Sequence, residues 1–551
     1  MSTPIGAGVQ EAEDRGGAFP TLTAAQSARL RAVGAVREVA QGETLFREGD
    51  RDYDFFVVDA GCVAIVQGYG QEPTLVAVHG PGRFLGELNL LTRSPPLLTA
   101  VVRDPGRVIQ VTVEALRRLV SADEELSNII LRAFLARRAL LIETGTGIRV
   151  VGSRFSRDAA RIRDFLRRNR MPYQWLDIEE DADAGVLLET LAVTPEETPV
   201  VVAAGGVQRN PSNGALAGML GLRPRDASPA LCDLVIVGGG PAGLAAALYG
   251  ASEGLDTQAI DGLAFGGQAS TSARIENYLG FPTGISGSEL SERATLQARR
   301  FGARLVVPAE ATGLAYDDGH FAIKLADGGQ VSGRTVIVAT GAHYRKLAIP
   351  DFERFEGTHI FFAATQAEGL LCMGDPVVVV GGGNSAGQAA MFLSSRAAQT
   401  SLLVRGPDLG RSMSRYLINE IEERDQIEVL TNTSVIAIHG GDSLESLTVS
   451  DTQTGEEREL ACRALFVFVG ADPHTDWLRG HLAMDEHGFL LTGRDVAAES
   501  ITGERPLFLE TSQIGIFAVG DVRSGSIKRV ASAVGEGSMA VQLVHQRLAG
   551  L

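Results

Sequence analysis

Two short glycine runs, each set between an apolar strand and an alanine-rich helix, constrain this chain more than any other feature. The first, Gly238-x-Gly240-x-x-Gly243, lies in CDLVIVGGGPAGLAAALYGASEGLDTQAID. The second, Gly381-x-Gly383-x-x-Ala386, lies in DPVVVVGGGNSAGQAAMFLSSRAAQTSLLVRG, with Asn384 and Ser385 opening its helix. Glycines at these spacings allow a tight turn and close approach of the backbone to a pyrophosphate. The helix that follows offers free N–H groups and the positive end of its dipole. Each run predicts a βαβ unit of a parallel sheet, so the sequence predicts two Rossmann-type α/β nucleotide-binding domains. Asp261 ends the second strand of the first unit, where an acid should hold a ribose. The corresponding strand of the second unit, TSLLVR, ends in Arg405 with no acid to repel a 2′-phosphate, and Arg411 follows. Two arginines at this edge favour NADPH over NADH through charge-assisted contacts. The competing reading is two surface arginines in an arginine-rich chain.

At 551 residues the chain is too long for one core and predicts about three to four domains. A net charge of −17 argues against nucleic acid and anionic membrane as partners, since both reward clustered positive charge. No run of apolar residues is long enough to span a bilayer, and the first residues show no basic start before an apolar segment. The expected location is therefore cytoplasmic. Cys62, Cys232, Cys372 and Cys462 are scattered, with neither CxxC nor metal-ligand spacing, so no metal is expected.

Residues 20–145 carry short apolar runs with Gly42, Gly49, Gly61 and Gly82 at the turns, followed by the helical EELSNIILRAFLARRALLIE. This pattern and Gly86-Glu87-Leu88 resemble the cyclic nucleotide-binding domain family. In that family the Glu holds the ribose, and an Arg nine or ten residues later pairs with the cyclic phosphate. Pro96 and Leu97 stand at those positions, and Arg93 lies on the other side of the double proline. A buried phosphate without its cation is strongly disfavoured, so a docking or packing module is expected and nucleotide binding is not. Residues 147–224 read as βαβ then ββα. They resemble a thioredoxin- or glutaredoxin-like α/β domain, with Thr198-Pro199 at the place of the family's cis-proline. Where that family has CxxC, the chain reads Ser153-Arg-Phe-Ser156, and a hydroxyl cannot take part in thiol exchange. Residues 223–231 read as a polar, proline-containing linker.

From residue 231 onward the chain resembles the low-molecular-weight thioredoxin reductases. The resemblance rests on GGQASTSARIENYLGFPTGISGSEL, TVIVATG and GIFAVGDVRSGSIKRVASAVGEGSMA together with the glycine turns. It implies an FAD-binding domain in two parts, 231–345 and 470–551, with an NADPH-binding domain, 346–469, inserted between them. It also implies FAD contacts from Gly267, Gln268, Asn277, Gly520, Asp521, Lys528, Val530 and Ala531. A homodimer is implied as well. The family's Arg-Gln pair before the last helix is Lys528-Arg529 here. The family's redox CxxC falls on Ala363 and Gln366, and the closest cysteine, Cys372, reads as core packing. The expected activity is hydride transfer from NADPH to FAD and on to a non-dithiol or external acceptor. Flavodoxin, ferredoxin, a quinone, dioxygen or a docked small redox protein could fill that place. Two alternatives stay open: an atypical thioredoxin-disulfide reductase whose dithiol comes from a partner, and a redox- or nucleotide-sensing flavoprotein with regulatory N-terminal modules.

Overall fold

Apolar strands punctuated by glycine build the first sheet, as the sequence leads one to expect. In the computed structural model the described residues are 14–50, 52–68, 74–92, 95–145, 147–203, 206–222, 231–272, 275, 278–317, 319–356, 359–362, 364, 368–369, 372–441, 443–496 and 505–550. The linker at 223–230 lies outside them. The chain divides into two compact units. The first holds the described residues up to 270, with 291–338 and those from 537 on; the second holds 271–290 and 339–536.

The first unit opens with an antiparallel sheet of β1 (Ala35–Val39), β2 (Thr44–Phe46), β3 (Phe55–Gln67), β4 (Thr74–His79), β5 (Phe84–Leu85) and β6 (Thr99–Val111). The order is β1-β6-β3-β4, with β2 on β6 and β5 on β3. The long strands β3 and β6 curl through register shifts around Ala60 and Cys62. Gly61 sits there with φ 86°, and a Cβ on it would lie 2.6 Å from the Asp104 carbonyl oxygen. Helices α1 (Ala24–Val33), α2 (Leu88–Thr92), α3 (Val113–Ala122) and α4 (Glu124–Thr144) accompany this roll. The Asp123 side chain caps α4 by accepting from Leu126 N–H, and left-handed Gly145 ends it.

A second module follows: β7 (Ile148–Gly152), α5 (Arg157–Arg168), β8 (Tyr173–Asp177), α6 (Ala182–Thr190), β9 (Val200–Ala203), β10 (Gly206–Arg209) and α7 (Asn213–Met219). Its sheet runs β10-β9-β7-β8; β7 and β8 are parallel, and the other pairs are antiparallel. Ala159, Ile162, Phe165 and Leu166 form the buried stripe of α5, and Ser156 caps it. The sequence reading assigned no helix at α6, whose buried stripe is only Ala184 and Leu188. The Thr198-Pro199 peptide is cis.

The third part of this unit is β11 (Cys232–Val237), α8 (Pro241–Ser252), β12 (Thr257–Ile260), α9 (Gly287–Arg300), β13 (Arg304–Val306), β14 (Ala311–Asp317), β15 (His320–Leu325) and β16 (Gln330–Val338). The strand order is β13-β12-β11-β16-β15-β14, parallel from β13 to β16. The almost unbroken apolar run of β11 fits a strand buried on both faces.

The second unit holds a ribbon of β17 (Ala342–Tyr344) with a later strand, and a parallel sheet. That sheet contains β18 (Ile360–Phe361), β19 (Pro376–Val380), β20 (Gln399–Leu403) and β21 (Ile427–Leu430). Helices α10 (Asn384–Ser394) and α11 (Arg415–Glu422) connect its strands. An antiparallel sheet of β22 (Thr433–Gly440), β23 (Leu444–Asp451) and β24 (Glu457–Ala461) comes next. Strand β25 (Ala464–Val467) then completes the parallel order β18-β25-β19-β20-β21, and β26 (Ala471–Pro473) pairs with β17. The last helix is α12 (Val530–Leu548). Among the described residues no helix is long and apolar enough to cross a membrane, and no His, Cys, Asp and Glu cluster suits a metal ion.

Arg137, on α4, organises the centre of the roll. It donates to the carbonyls of Ala18 (2.8 Å), Gly86 (2.6 Å) and Phe84 (3.0 Å), and its guanidinium lies 4.7 Å from the Phe84 ring centroid. Burial pulls it down to about 9, which still leaves it charged at neutral pH. Replacing it with methionine strands buried carbonyls without donors. Arg137→Met is expected to lower unfolding stability by about 3 kcal/mol, read as a lower denaturant midpoint with the slope unchanged.

Candidate functional site

The first glycine turn joins β11 to α8. Gly238 has φ 108° and donates from its N–H to the Ile260 carbonyl at 2.9 Å. A Cβ on Gly239 would meet the Phe265 ring at 2.5 Å, and one on Gly267 would meet the Gly240 Cα at 2.9 Å. These positions exclude side chains because loop 261–267 lies directly against the turn. Gly243 is buried within α8. Gln268 opens a short 3₁₀ turn, Gln268–Thr271. Pro241 occupies the first turn of α8, and Gly240 gives it no side-chain cap. The leading N–H groups of α8 are thus left for an anion.

Asp261 ties this loop together. One oxygen accepts from Gly239 N–H at 2.8 Å, and the other from Leu263 N–H at 2.9 Å and Ala264 N–H at 3.1 Å. Burial pushes its carboxyl up, against the pull of those three N–H groups and of Arg168. In the C-terminal part of the first unit, a Cβ on Gly537 would lie 2.2 Å from the Ala242 carbonyl oxygen, so α12 crosses the start of α8 at glycine distance.

The second turn joins β19 to α10 and repeats the geometry. Gly381 has φ 148°, and a Cβ there would lie 2.5 Å from the Phe468 carbonyl oxygen and 3.0 Å from the Ala386 Cβ. Gly383 leaves α10 without a side-chain cap. Asn384 and Ser385 are exposed at the helix start. The Asn384 Oδ1 accepts from Ser414 N–H at 2.7 Å, and the Ser412 hydroxyl donates to the Gly382 carbonyl at 2.9 Å. Strand β20 stops at Leu403, and both Arg405 and Arg411 are exposed beyond it.

Elsewhere in the second unit, Gly520 takes φ 73° and donates from its N–H to Glu536 Oε2 at 2.7 Å. Glu536 also pairs with Arg523, both side chains being largely buried. The carboxyl of the neighbouring Asp521 is raised by burial and by the charge of Glu536, while Lys528 draws it down. Lys528 Nζ stands 4.9 Å from the Phe489 ring centroid. Val530 is half-buried and Ala531 exposed at the start of α12.

Residues 232–537 match the sequence profile of the pyridine nucleotide-disulphide oxidoreductases. The chain belongs to this family. Residues 36–123 match the cyclic nucleotide-binding domain. Thioredoxin reductase of Streptomyces clavuligerus is 33% identical over 320 residues, covering 58% of this chain and 94% of that protein. The thioredoxin reductase of Treponema pallidum (strain Nichols) is 35% identical over 308 residues, covering 56% and 94%. Among solved structures, thioredoxin reductase from Streptococcus pyogenes MGAS5005 aligns with a TM-score of 0.50 at 29% identity, covering 59% of this chain and 100% of that one. The chain is therefore an oxidoreductase of thioredoxin-reductase type with a cyclic nucleotide-binding domain at its N-terminal side.

Ala363, Gln366 and Asn277 lie outside the described residues, so their sequence positions are all that is reported of them. Cys372 is 2% exposed and packs in the core with Val377, Ala390 and Leu393. Burial pushes its thiol up, away from the thiolate that exchange chemistry needs. In the roll, Glu87 is buried, and its Oε1 accepts from the backbone N–H of Leu97 at 2.6 Å. Leu97 itself is buried, at the position that resemblance gives to a phosphate-pairing arginine; Arg93 lies outside the described residues. In the second module, the Ser153 hydroxyl donates to Glu179 at 2.7 Å and accepts from Phe155 N–H at 3.2 Å, and Ser156 caps α5.

The glycine turns brought together the residues their spacing singled out. Sequence reasoning missed Glu536, whose only signal is one acid inside SAVGEGSMA. Removing it leaves Arg523 unpaired and frees the Gly520 turn. Glu536→Ala is expected to cost about 3 kcal/mol of stability, seen in denaturant unfolding, whereas Glu486→Ala on the surface changes it by less than about 0.5 kcal/mol.

Proposed function

We propose that the chain is an FAD-dependent NADPH oxidoreductase whose electrons leave for an acceptor other than a dithiol of its own. The observation that carries this reading is the pairing of two uncapped glycine-turn helices with cysteine-free redox positions at Ala363 and Gln366. Both turns fit a pyrophosphate, since a Cβ at Gly240 or Gly383 would meet nothing nearer than 4.0 Å or 3.9 Å and neither helix start has a side-chain cap. FAD, when bound, supplies the two-electron chemistry: it takes a hydride from NADPH and passes electrons onward.

The chain's residues would bind and orient. Gly238, Gly240, Gly243, Gly267 and Gln268 would hold FAD from the first glycine turn and its facing loop. Asn277, Gly520, Asp521, Lys528, Val530 and Ala531 would supply further contacts. Asp261 would act on the ribose side while fixing its own loop. Gly381, Gly383, Asn384, Ser385 and Ala386 would hold the NADPH pyrophosphate, and Arg405 and Arg411 its 2′-phosphate. We assign 231–345 with 470–551 to FAD and 346–469 to NADPH. The roll is taken as 20–145 and a thioredoxin-like module without CxxC as 147–224. The βαβ–ββα strand pairing supports that last label. A cytoplasmic homodimer that passes electrons to a small redox protein fits this reading. A cyclic nucleotide has no part in it, because Leu97 stands where a phosphate would need a cation.

Under anaerobic conditions, stoichiometric NADPH is expected to bleach the flavin absorbance of the purified protein; no bleaching would end this reading. Arg405→Gln with Arg411→Gln should raise KM for NADPH by about tenfold or more and leave KM for NADH within about twofold. Strong NADPH-dependent reduction of the aromatic disulfide DTNB by the purified chain would instead favour a thioredoxin-disulfide reductase, the activity that its relatives' names carry. Millimolar cyclic AMP should leave the unfolding temperature unchanged, since a ligand bound only by the native state raises it.

A further inference from the structure

The turn that closes α5 sets Asn169 of the second module against the loop that walls the first glycine turn. Asn169 is the C-cap residue of α5, and its Nδ2 donates to the Leu263 carbonyl at 3.0 Å as well as to the Phe165 carbonyl at 2.9 Å. Leu263 belongs to the loop whose N–H groups Asp261 holds, and its side chain packs on the apolar cluster that contains Phe165, Leu166 and Met171. Arg170 follows. Its Nε lies 3.1 Å from Glu292 on α9, and its carbonyl accepts from Arg138 of α4 at 3.3 Å. Ser291, the neighbour of Glu292, is so close to the same loop that a Cβ on Gly266 would lie 2.6 Å from its hydroxyl oxygen. Asn169 thus holds the loop directly, while Arg170 ties down α9, whose Ser291 lies against the loop at Gly266.

The backbone at Arg170 sharpens the point. Arg170 has φ 52°, with Met171 N–H bonded to the Leu166 carbonyl at 2.9 Å and Arg170 N–H to the Arg167 carbonyl at 3.0 Å. This is a Schellman turn, and its left-handed position favours glycine. A side chain there costs about 1 kcal/mol. Nothing in the turn itself repays that cost. The ion pair with Glu292 gives the arginine a purpose at a place where glycine would suit the backbone better.

We propose that Asn169 and Arg170 are positioning residues for the dinucleotide site. They hold loop 261–267 against the glycine turn, so the second module serves the oxidoreductase as a structural wall of its FAD site. This rests on the FAD assignment above. The test is amide hydrogen exchange on the full chain, with and without added FAD, for wild type, Arg170→Gly, Arg170→Lys and Asn169→Ala. Arg170→Gly relieves the backbone and removes the tie. Its amides at 262–267 should exchange about tenfold faster while those of β7–β9 stay protected, and the Kd for FAD should rise several-fold. Arg170→Lys should stay near wild type, and Asn169→Ala should loosen Leu263 to Phe265. Unchanged exchange at 262–267 in Arg170→Gly, or a rise shared equally by β7–β9, would overturn the proposal. A wild-type chain that takes up no FAD would sink the cofactor assignment alone, since the exchange comparison without FAD still decides the clamp.

Discussion

One carboxylate joins the two halves of the first nucleotide fold. Asp261 sits at the end of β12 and accepts N–H groups both from the glycine turn and from the loop that follows it. It works together with the Gly266 N–H bond to the Gly239 carbonyl at 2.7 Å and the Asn169 bond to Leu263 in keeping the loop against the turn. Buried carboxylates are tolerated only when several donors converge on them. For Asp261 the fold meets that condition with three backbone N–H groups. The brace of Glu536 on Gly520 and Arg523 repeats the device in the second unit.

The N-terminal modules share a different trait. Several of their polar side chains are engaged within the module itself. Ser153 and Ser156 hold their own loop and helix, and Glu87 receives the N–H of Leu97. Ser153 and Ser156 are satisfied by the chain itself, whereas Glu87 is hydrogen-bonded through Oε1 alone among the described residues.

The large elements were legible because local chemistry decides them. Glycine spacing and apolar runs act over a few residues, and the strands and helices formed where they pointed. Helix α6 was not, since two buried residues do not make a readable stripe. The interactions that fix the candidate site were also hidden. Asn169 meets Leu263 across 94 positions of sequence, and Arg137 meets Ala18 across 119. An arginine within LARRALL carries no mark of the three carbonyls it will meet. Such contacts belong to tertiary packing, and no local pattern encodes them.

The bond between Glu87 and residue 97 has a consequence for substitution at that position. The donor is a backbone N–H, which every residue except proline retains. Arginine placed at position 97 would bring a positive charge into the cassette while Glu87 Oε1 stayed engaged by the main chain. Glu87 Oε2, which has no hydrogen-bond partner among the described residues, is the oxygen that such a change would leave open. Charge at this position can therefore be altered without breaking the main-chain bond that holds the carboxylate.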